Sequence, residues 1–259
     1  MSLLDYDITK PTNRTAEEEW VPDLASSDNF FEWHYITAPL TGANGHQYFL
    51  FISNLNMNSV RYKTMLTQGQ PQQFPEEINP YMVVSHFCDY DDDLYTSQRT
   101  LLMPQITDIF DHNRNALTLL DERQNFAVDF SFKGDSIELN AKTNDFEVNL
   151  HCGGASVIMW MKDNHDQLGL IQQGAVGDWS FYYSLAKLPF HGSLTYTDTS
   201  GKLIQTDVYG QAWLDRQWGD FTSQSWEWTS FRFADGERVN VYNFAGGHQV
   251  GVYQKMMVV

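Results

Sequence analysis

The sequence predicts an all-β, antiparallel architecture, a barrel or a sandwich, from three observations. Short runs rich in aromatic and β-branched residues alternate apolar and polar side chains, as in Phe126-Ala-Val-Asp-Phe-Ser-Phe132. Turn signals such as Lys133-Gly134-Asp135 and Asn144-Asp145 separate these runs at the spacing of an antiparallel meander. The helical crossovers that parallel strands require are missing. At 259 residues the chain suits one large or two small domains and buries a sizeable core.

Taken in order, residues 1–28 form a polar N-terminal arm, in which Thr15 is placed to cap a short turn entered through Ala16 and Glu17. Phe30–Ile36 and Tyr48–Ser53 read as the two strands of a hairpin across the turn at Gly42–Gly45. Asn54–Pro80, rich in Asn, Gln and Pro, reads as an irregular excursion with a strand at Ser59–Thr67. Tyr81–Phe87 resumes strand character. Ser97–His112 is the best helix candidate, provided that Pro104 sits in its first turn.

Strands then follow one another at Ala116–Leu120, Phe126–Phe132, Ser136–Thr143, Phe146–His151 and Val157–Lys162. A second series runs through Trp179–Ala186, Gly192–Thr197, Leu203–Leu214, Trp226–Ala234, Val239–Phe244 and Val250–Val258.

Charge and composition narrow the function. Lys plus Arg total 16 against 33 for Asp plus Glu, a formal charge of −17, which repels nucleic acid and anionic membranes. No run of about twenty apolar residues suggests membrane insertion, and the opening Met1-Ser-Leu-Leu-Asp-Tyr lacks the blocks of a signal peptide, so a soluble chain is expected. The aromatic share is high at 15% and spread along the chain, which suits a wide core or an apolar ligand site.

Nucleotide, zinc-peptidase and nucleophile-elbow motifs are missing, so no cofactor is expected. The eight histidines lack metal-ligand spacing, and the run Asp89–Asp93 lacks the glycine and distal glutamate of a calcium loop; no metal is expected. Cys88 and Cys152 read as two buried thiols, with a single bridge as the other option.

One stretch stands out, Gly210-Gln-Ala-Trp-Leu-Asp-Arg-Gln-Trp-Gly219. As a strand it puts Tyr209, Gln211, Trp213, Asp215 and Gln217 on one face, and Ala212, Leu214, Arg216 and Trp218 on the other. A carboxyl group walled by indole rings is poorly solvated, so its pKa rises and it can donate a proton near neutral pH. The competing account is a plain ion pair between Asp215 and Arg216 or Arg232. Trp226, Trp228, Ser230 and Arg232 likewise share a face, which suits either a ligand wall or a core with a stacked arginine.

Four segments together resemble the carotenoid 1,2-hydratase, or hydroxyneurosporene synthase, family, also called AttH-like. They are Glu32-Trp-His-Tyr35, the segment Tyr182–Leu194, the Gly210–Gly219 stretch and Trp226–Gly236. The resemblance implies a lipocalin-like β-barrel over residues 29–195 followed by a second, incomplete lipocalin-like barrel over 196–259. It implies cofactor-independent hydration of an apolar unsaturated small molecule, isoprenoid or polyketide-like. Asp215 is then the catalytic proton donor, and Trp213, Gln217, Tyr209, Trp226, Trp228, Arg232, Glu32 and His34 bind the ligand.

Two departures accompany the resemblance. His34 stands where the family has tryptophan, and family chains run well beyond Val259, so the strands that complete the second barrel come from a further C-terminal segment or a second copy of the chain, or are dispensable. Beside the hydratase stand a non-catalytic lipocalin-like binder of a hydrophobic ligand and a pericyclase that only folds its substrate.

Overall fold

The computed structural model describes residues 15–22, 30–154, 158–160, 169–172, 179–220, 226–233, 238–244 and 252–256; of these, residues 71, 172, 179, 226, 242–244 and 252–256 are described by backbone alone. Its strands are β1 (Phe30–Gly42), β2 (Gln47–Asn56), β3 (Tyr81–Asp89), β4 (Leu94–Leu102), β5 (Phe110–Asp111), β6 (Ala116–Asp121), β7 (Phe126–Lys133), β8 (Ser136–Lys142), β9 (Phe146–Gly153), β10 (Ile158–Trp160), β11 (Leu170–Gln172), β12 (Trp179–Thr197), β13 (Leu203–Asp220), β14 (Trp226–Arg232), β15 (Arg238–Phe244) and β16 (Val252–Met256).

Thirteen strands form one antiparallel sheet in the order β4-β3-β2-β1-β13-β12-β9-β8-β7-β6-β5, with β10 and β11 both pairing β12. The sheet curls into a half-barrel of lipocalin-like form. A separate antiparallel sheet follows in the order β14-β15-β16.

The concave face of the large sheet carries the main core, because alternation along every strand turns one set of apolar side chains inward. Tyr48, Phe87, Phe146 and Tyr196 meet there from β2, β3, β9 and β12, with ring centroids 5.0 to 5.9 Å apart. The N-terminal turn joins the same core. Glu18 N–H donates to Thr15 Oγ1 at 3.2 Å and Thr15 N–H to Glu18 Oε2 at 2.7 Å, a reciprocal capping box. That turn delivers Trp20, whose Nε1 donates to Phe130 O at 3.2 Å and whose ring packs edge-on against His34 and Phe130.

Two glycines let the long strands lie close to their neighbours. A Cβ on Gly192 would sit 1.8 Å from Asn149 O, and one on Gly210 would sit 2.1 Å from Pro39 O. β13 can therefore cross β1 and remain paired with it from Val208 to Asp220.

Most expected strands are present, and several expectations need correction. The helix candidate at Ser97–His112 instead holds most of β4, then a 3-10 turn at Ile106–Asp108 and β5. Alternate residues of β4 are exposed, a period-two pattern, and Pro104 supplies its carbonyl to Asn79 N–H at 3.1 Å. The single helix of the described residues, α1 (Val60–Leu66), occupies the segment read as an excursion with a strand at Ser59–Thr67. Ser59 caps it by accepting from Tyr62 N–H at 3.2 Å, and a good N-cap outweighs two β-branched residues.

The runs at Trp179–Ala186 and Gly192–Thr197 are one strand, β12, with a register shift between Leu185 and Leu188. Cys88 and Cys152 are free thiols, and Cys88 is only half-buried. The boundary expected at 195/196 lies within β12, β13 is a central strand of the large sheet, and the second sheet starts at Trp226. No helix of the described residues is long and apolar enough to cross a membrane.

Candidate active site

β13 organises two polar clusters, one on each face of the large sheet. It lies between β1 and β12, with Asp215 directly opposite Tyr35 on one side and Ser184 on the other, while Arg216 lies opposite His34 and Tyr183. Because period two sends neighbours to opposite faces, Asp215, Tyr35 and Ser184 point together to the convex side and Arg216, His34 and Tyr183 to the concave core.

On the convex side Asp215 is wholly buried and its carboxylate is ringed by neutral donors. Oδ1 accepts from Ser184 Oγ at 2.5 Å and from Trp213 Nε1 at 2.6 Å, and Oδ2 accepts from the Tyr35 hydroxyl. Behind Ser184 stands Tyr182, its hydroxyl 2.7 Å from Ser184 Oγ. That hydroxyl accepts from Trp228 Nε1 at 3.2 Å and from Asn240 Nδ2 at 2.9 Å. Indole and amide nitrogens only donate, so the Tyr182 proton points onward toward Ser184 and Asp215. Trp228 and Asn240 belong to β14 and β15, so the small sheet forms the lid of this cluster.

Burial pushes the Asp215 carboxyl up to about 6, against the pull of its hydrogen bonds from Ser184, Tyr35, Tyr182 and Trp213. Desolvation prevails because neutral donors offset only part of the lost hydration of a charge.

The concave cluster is built on an ion pair. Arg216 Nη2 donates to Glu32 Oε1 at 2.6 Å and to Val21 O at 3.0 Å, Nη1 lies 3.9 Å from Glu19 Oε2, and the guanidinium stacks 3.9 Å over the Trp218 ring. Asn56 Nδ2 also donates to Glu32, at 2.9 Å. His34 places Nε2 3.2 Å from Trp20 O, and burial, then the Arg216 charge, hold its pKa well below the imidazole range, so the ring is neutral with Nε2–H donating. The competing account, a plain ion pair between Asp215 and Arg216 or Arg232, does not hold. Arg216 belongs to Glu32 across the sheet, and Arg232 donates to Gln211 O at 2.8 Å and to Thr37 Oγ1 at 3.1 Å.

Beside Asp215, between the two sheets, lies an apolar groove of about 340 Å³ lined by Phe31, Trp33, Tyr35, Thr37, Phe51, Ser53, Leu55 and Trp228. Alternate residues of β1 and β2 form its floor and Trp228 its far wall, 5.6 Å edge-on from Tyr35. Asp215 does not line this groove; Tyr35 stands between them.

The sequence matches the AttH-like family over residues 19–258. The chain belongs to the AttH-like family. An AttH from Nitrosomonas europaea has a similar fold, with a TM-score of 0.61 at 18% identity, and the match covers 87% of this chain and 63% of that one. Kievitone hydratase from Nectria haematococca is similar with a TM-score of 0.55 at 13% identity, over 86% of this chain and 60% of that one. The AttH-like chain thus spans somewhat under two thirds of the length of either. No curated protein sequence matches it.

Of the residues singled out in this AttH-like sequence, Asp215, Trp213 and Trp228 meet in one cluster, with the Trp213 and Trp228 rings 5.9 Å apart. Arg232 is close by at Thr37, and burial, then Arg238, lower it to about 10. Gln217 is buried further along the same face, donating to Ser180 Oγ at 2.8 Å. Glu32 and His34 lie across the sheet, and Tyr209 is 59% exposed, away from the cluster. The Trp226 side chain lies outside the described residues.

Tyr35, Tyr182, Ser184 and Asn240 join the site unforeseen. The first three stand inside segments that carry the family resemblance, and Tyr35 follows Trp33 at period two, which was the available signal. Among the described residues, His46, Asp89 and Asp91 bring potential metal-ligand atoms within 4.8 Å of one another. Asp89 Oδ2 is already occupied there by the Tyr196 hydroxyl at 2.5 Å and His46 Nδ1 at 3.0 Å.

Proposed function

We propose that this AttH-like chain is a cofactor-independent hydratase, of the carotenoid 1,2-hydratase type, for an apolar molecule bearing a trisubstituted alkene. The observation that carries the reading is the Asp215 carboxyl. It is wholly buried, has neutral donors around it, is raised to about 6, and lies one hydrogen bond from an aromatic groove. Such a group holds a proton at mildly acidic to neutral pH and can release it.

Addition of that proton to an alkene carbon leaves a tertiary cation. The faces of Trp228, Trp33 and Phe51 in the groove wall stabilise it, and water then adds to give the alcohol. The likeness in fold to a kievitone hydratase supports the reaction class. The groove takes a prenyl-sized hydrocarbon end, isoprenoid or polyketide-borne, with Arg232 and Thr37 at one limit to meet a polar group.

A non-catalytic binder is the second reading, favoured by the absence of the Asp215 carboxyl from the groove wall. Incubation of wild type and Asp215→Asn with prenylated phenols in heavy water separates the two. Hydration incorporates deuterium beside the new alcohol, is lost in the variant, and leaves binding of the saturated analogue intact; a binder gives saturable affinity and no labelled product in either protein.

A further inference from the structure

Asp215 cannot touch a molecule in the groove, because its side chain has no exposure and its oxygens face Ser184, Trp213, Tyr35 and Tyr182. Of these four neighbours only Tyr35 also lines the groove. The hydrogen-bond directions go further. Oδ1 already receives two protons, from the Ser184 hydroxyl, held in that sense by the chain from Asn240 and Trp228 through Tyr182, and from the Trp213 indole, which can only donate. A proton on the carboxyl therefore belongs on Oδ2, where the nearest partner is the Tyr35 hydroxyl. A phenol oxygen that accepts this proton must turn its own O–H away from Asp215, and Tyr35 is a residue of the groove wall.

We infer that Tyr35 is the catalytic residue that touches the substrate, handing the alkene its proton from the groove wall while Asp215 reprotonates it from behind. This rests on the hydratase reading above and names the group through which that site acts. Asp215 Oδ2–H passes its proton to Tyr35 Oη as Tyr35 Oη–H passes its own to the less substituted alkene carbon. The alkene π pair becomes the new C–H bond, the other carbon becomes a tertiary cation, and Asp215 is left as the carboxylate. Water then forms the C–O bond and returns a proton through Tyr35 to Asp215, so nothing is oxidised or reduced and the net change is alkene plus water to alcohol.

Tyr35 sits edge-on to Trp228 and tilted on Phe51, contacts that a phenylalanine keeps. Infrared difference spectra of the protein alone, recorded across a pH titration, test the relay without any substrate. Wild type should show a protonated carboxyl band that titrates near pH 6 and is missing in Asp215→Asn. In Tyr35→Phe the band should move to higher frequency, since the acid proton has lost its acceptor, and its midpoint should rise, since the carboxylate has lost a donor. With a prenylated phenol as probe, Tyr35→Phe should lower turnover about 10²-fold while affinity for the saturated analogue stays within about two-fold.

A band present in wild type and unmoved in Tyr35→Phe overturns the relay and leaves Asp215 as the acid. No titrating band that depends on Asp215 overturns the hydratase reading itself. Should Tyr35→Phe fail to fold, 3-fluorotyrosine at position 35 keeps the hydroxyl but makes it a weaker acceptor and a stronger donor, so a smaller rise in band frequency and a fall in midpoint are required.

Discussion

Asp215 and Arg216 are consecutive residues of β13, both removed from solvent, and they occupy opposite environments. Arg216 meets Glu32 at 2.6 Å with Glu19 beyond at 3.9 Å, and stacks on Trp218, so its charge is matched by carboxylates. Asp215 meets only hydroxyls and an indole. The difference is between a buried charge that is neutralised, which serves the fold, and a buried carboxyl left without a counter-charge, which binds its proton more tightly than a free carboxyl does and is available for chemistry. Five aromatic rings border the groove on the uncompensated side.

Several experiments would break or sharpen this contrast. The largest effect is expected on the compensated side. Arg216→Met leaves Glu32 and Glu19 buried without their cation and should cost about 3–5 kcal/mol of unfolding free energy in urea, with turnover per folded molecule unchanged. A mild stability loss coupled to a large turnover loss would reverse the assignment of the two faces.

On the uncompensated side, Asp215→Asn should lower turnover about 10²-fold, equivalent to about 2.7 kcal/mol, without lowering stability at neutral pH. The amide reproduces the protonated acid, since its oxygen accepts from Ser184 and Trp213 and its nitrogen donates toward Tyr35.

The pH dependence follows from the sign of the Asp215 shift. Its folded pKa, about 6, lies above the ordinary carboxyl value, so the folded state binds the proton more tightly. The cost to stability is absent below about pH 4, grows between about pH 4 and 6, and is fully present above, at roughly 3 kcal/mol. Urea midpoints of wild type should fall relative to Asp215→Asn across that window, and wild-type turnover should decline above about pH 6. Parallel midpoint curves for the two proteins would rule out a raised Asp215. The smallest effect is expected at the lid, where Trp228→Phe removes the Nε1 donor to Tyr182 and replaces the indole face with a weaker aromatic one; kcat should fall a few-fold.

Much of this was legible in the sequence at the level of single strands. Alternation along Gly210–Gly219 placed Trp213, Asp215 and Gln217 opposite Leu214, Arg216 and Trp218, as observed, and period two from Trp226 correctly joined Trp228 and Arg232 on one face. Where local patterning misled, a local competitor had prevailed. Ser59 capped a helix through a segment with strand propensity, and the period-two pattern of Leu94–Leu102 outweighed the apolar run that suggested a helix.

What the sequence by itself determined was therefore the all-β class, the strand faces and the presence of a carboxyl beside indoles, because side-chain alternation is a property of each strand alone. Only the tertiary structure decided that the Asp215 face lies on the convex side beneath the second sheet, that Glu32 and His34 stand across the sheet with Arg216, and that Tyr35, 180 positions away, is the partner of Asp215. Pairing between β1 and β13 is a long-range choice set by the closing of the whole sheet, and no pattern within either strand names its neighbour.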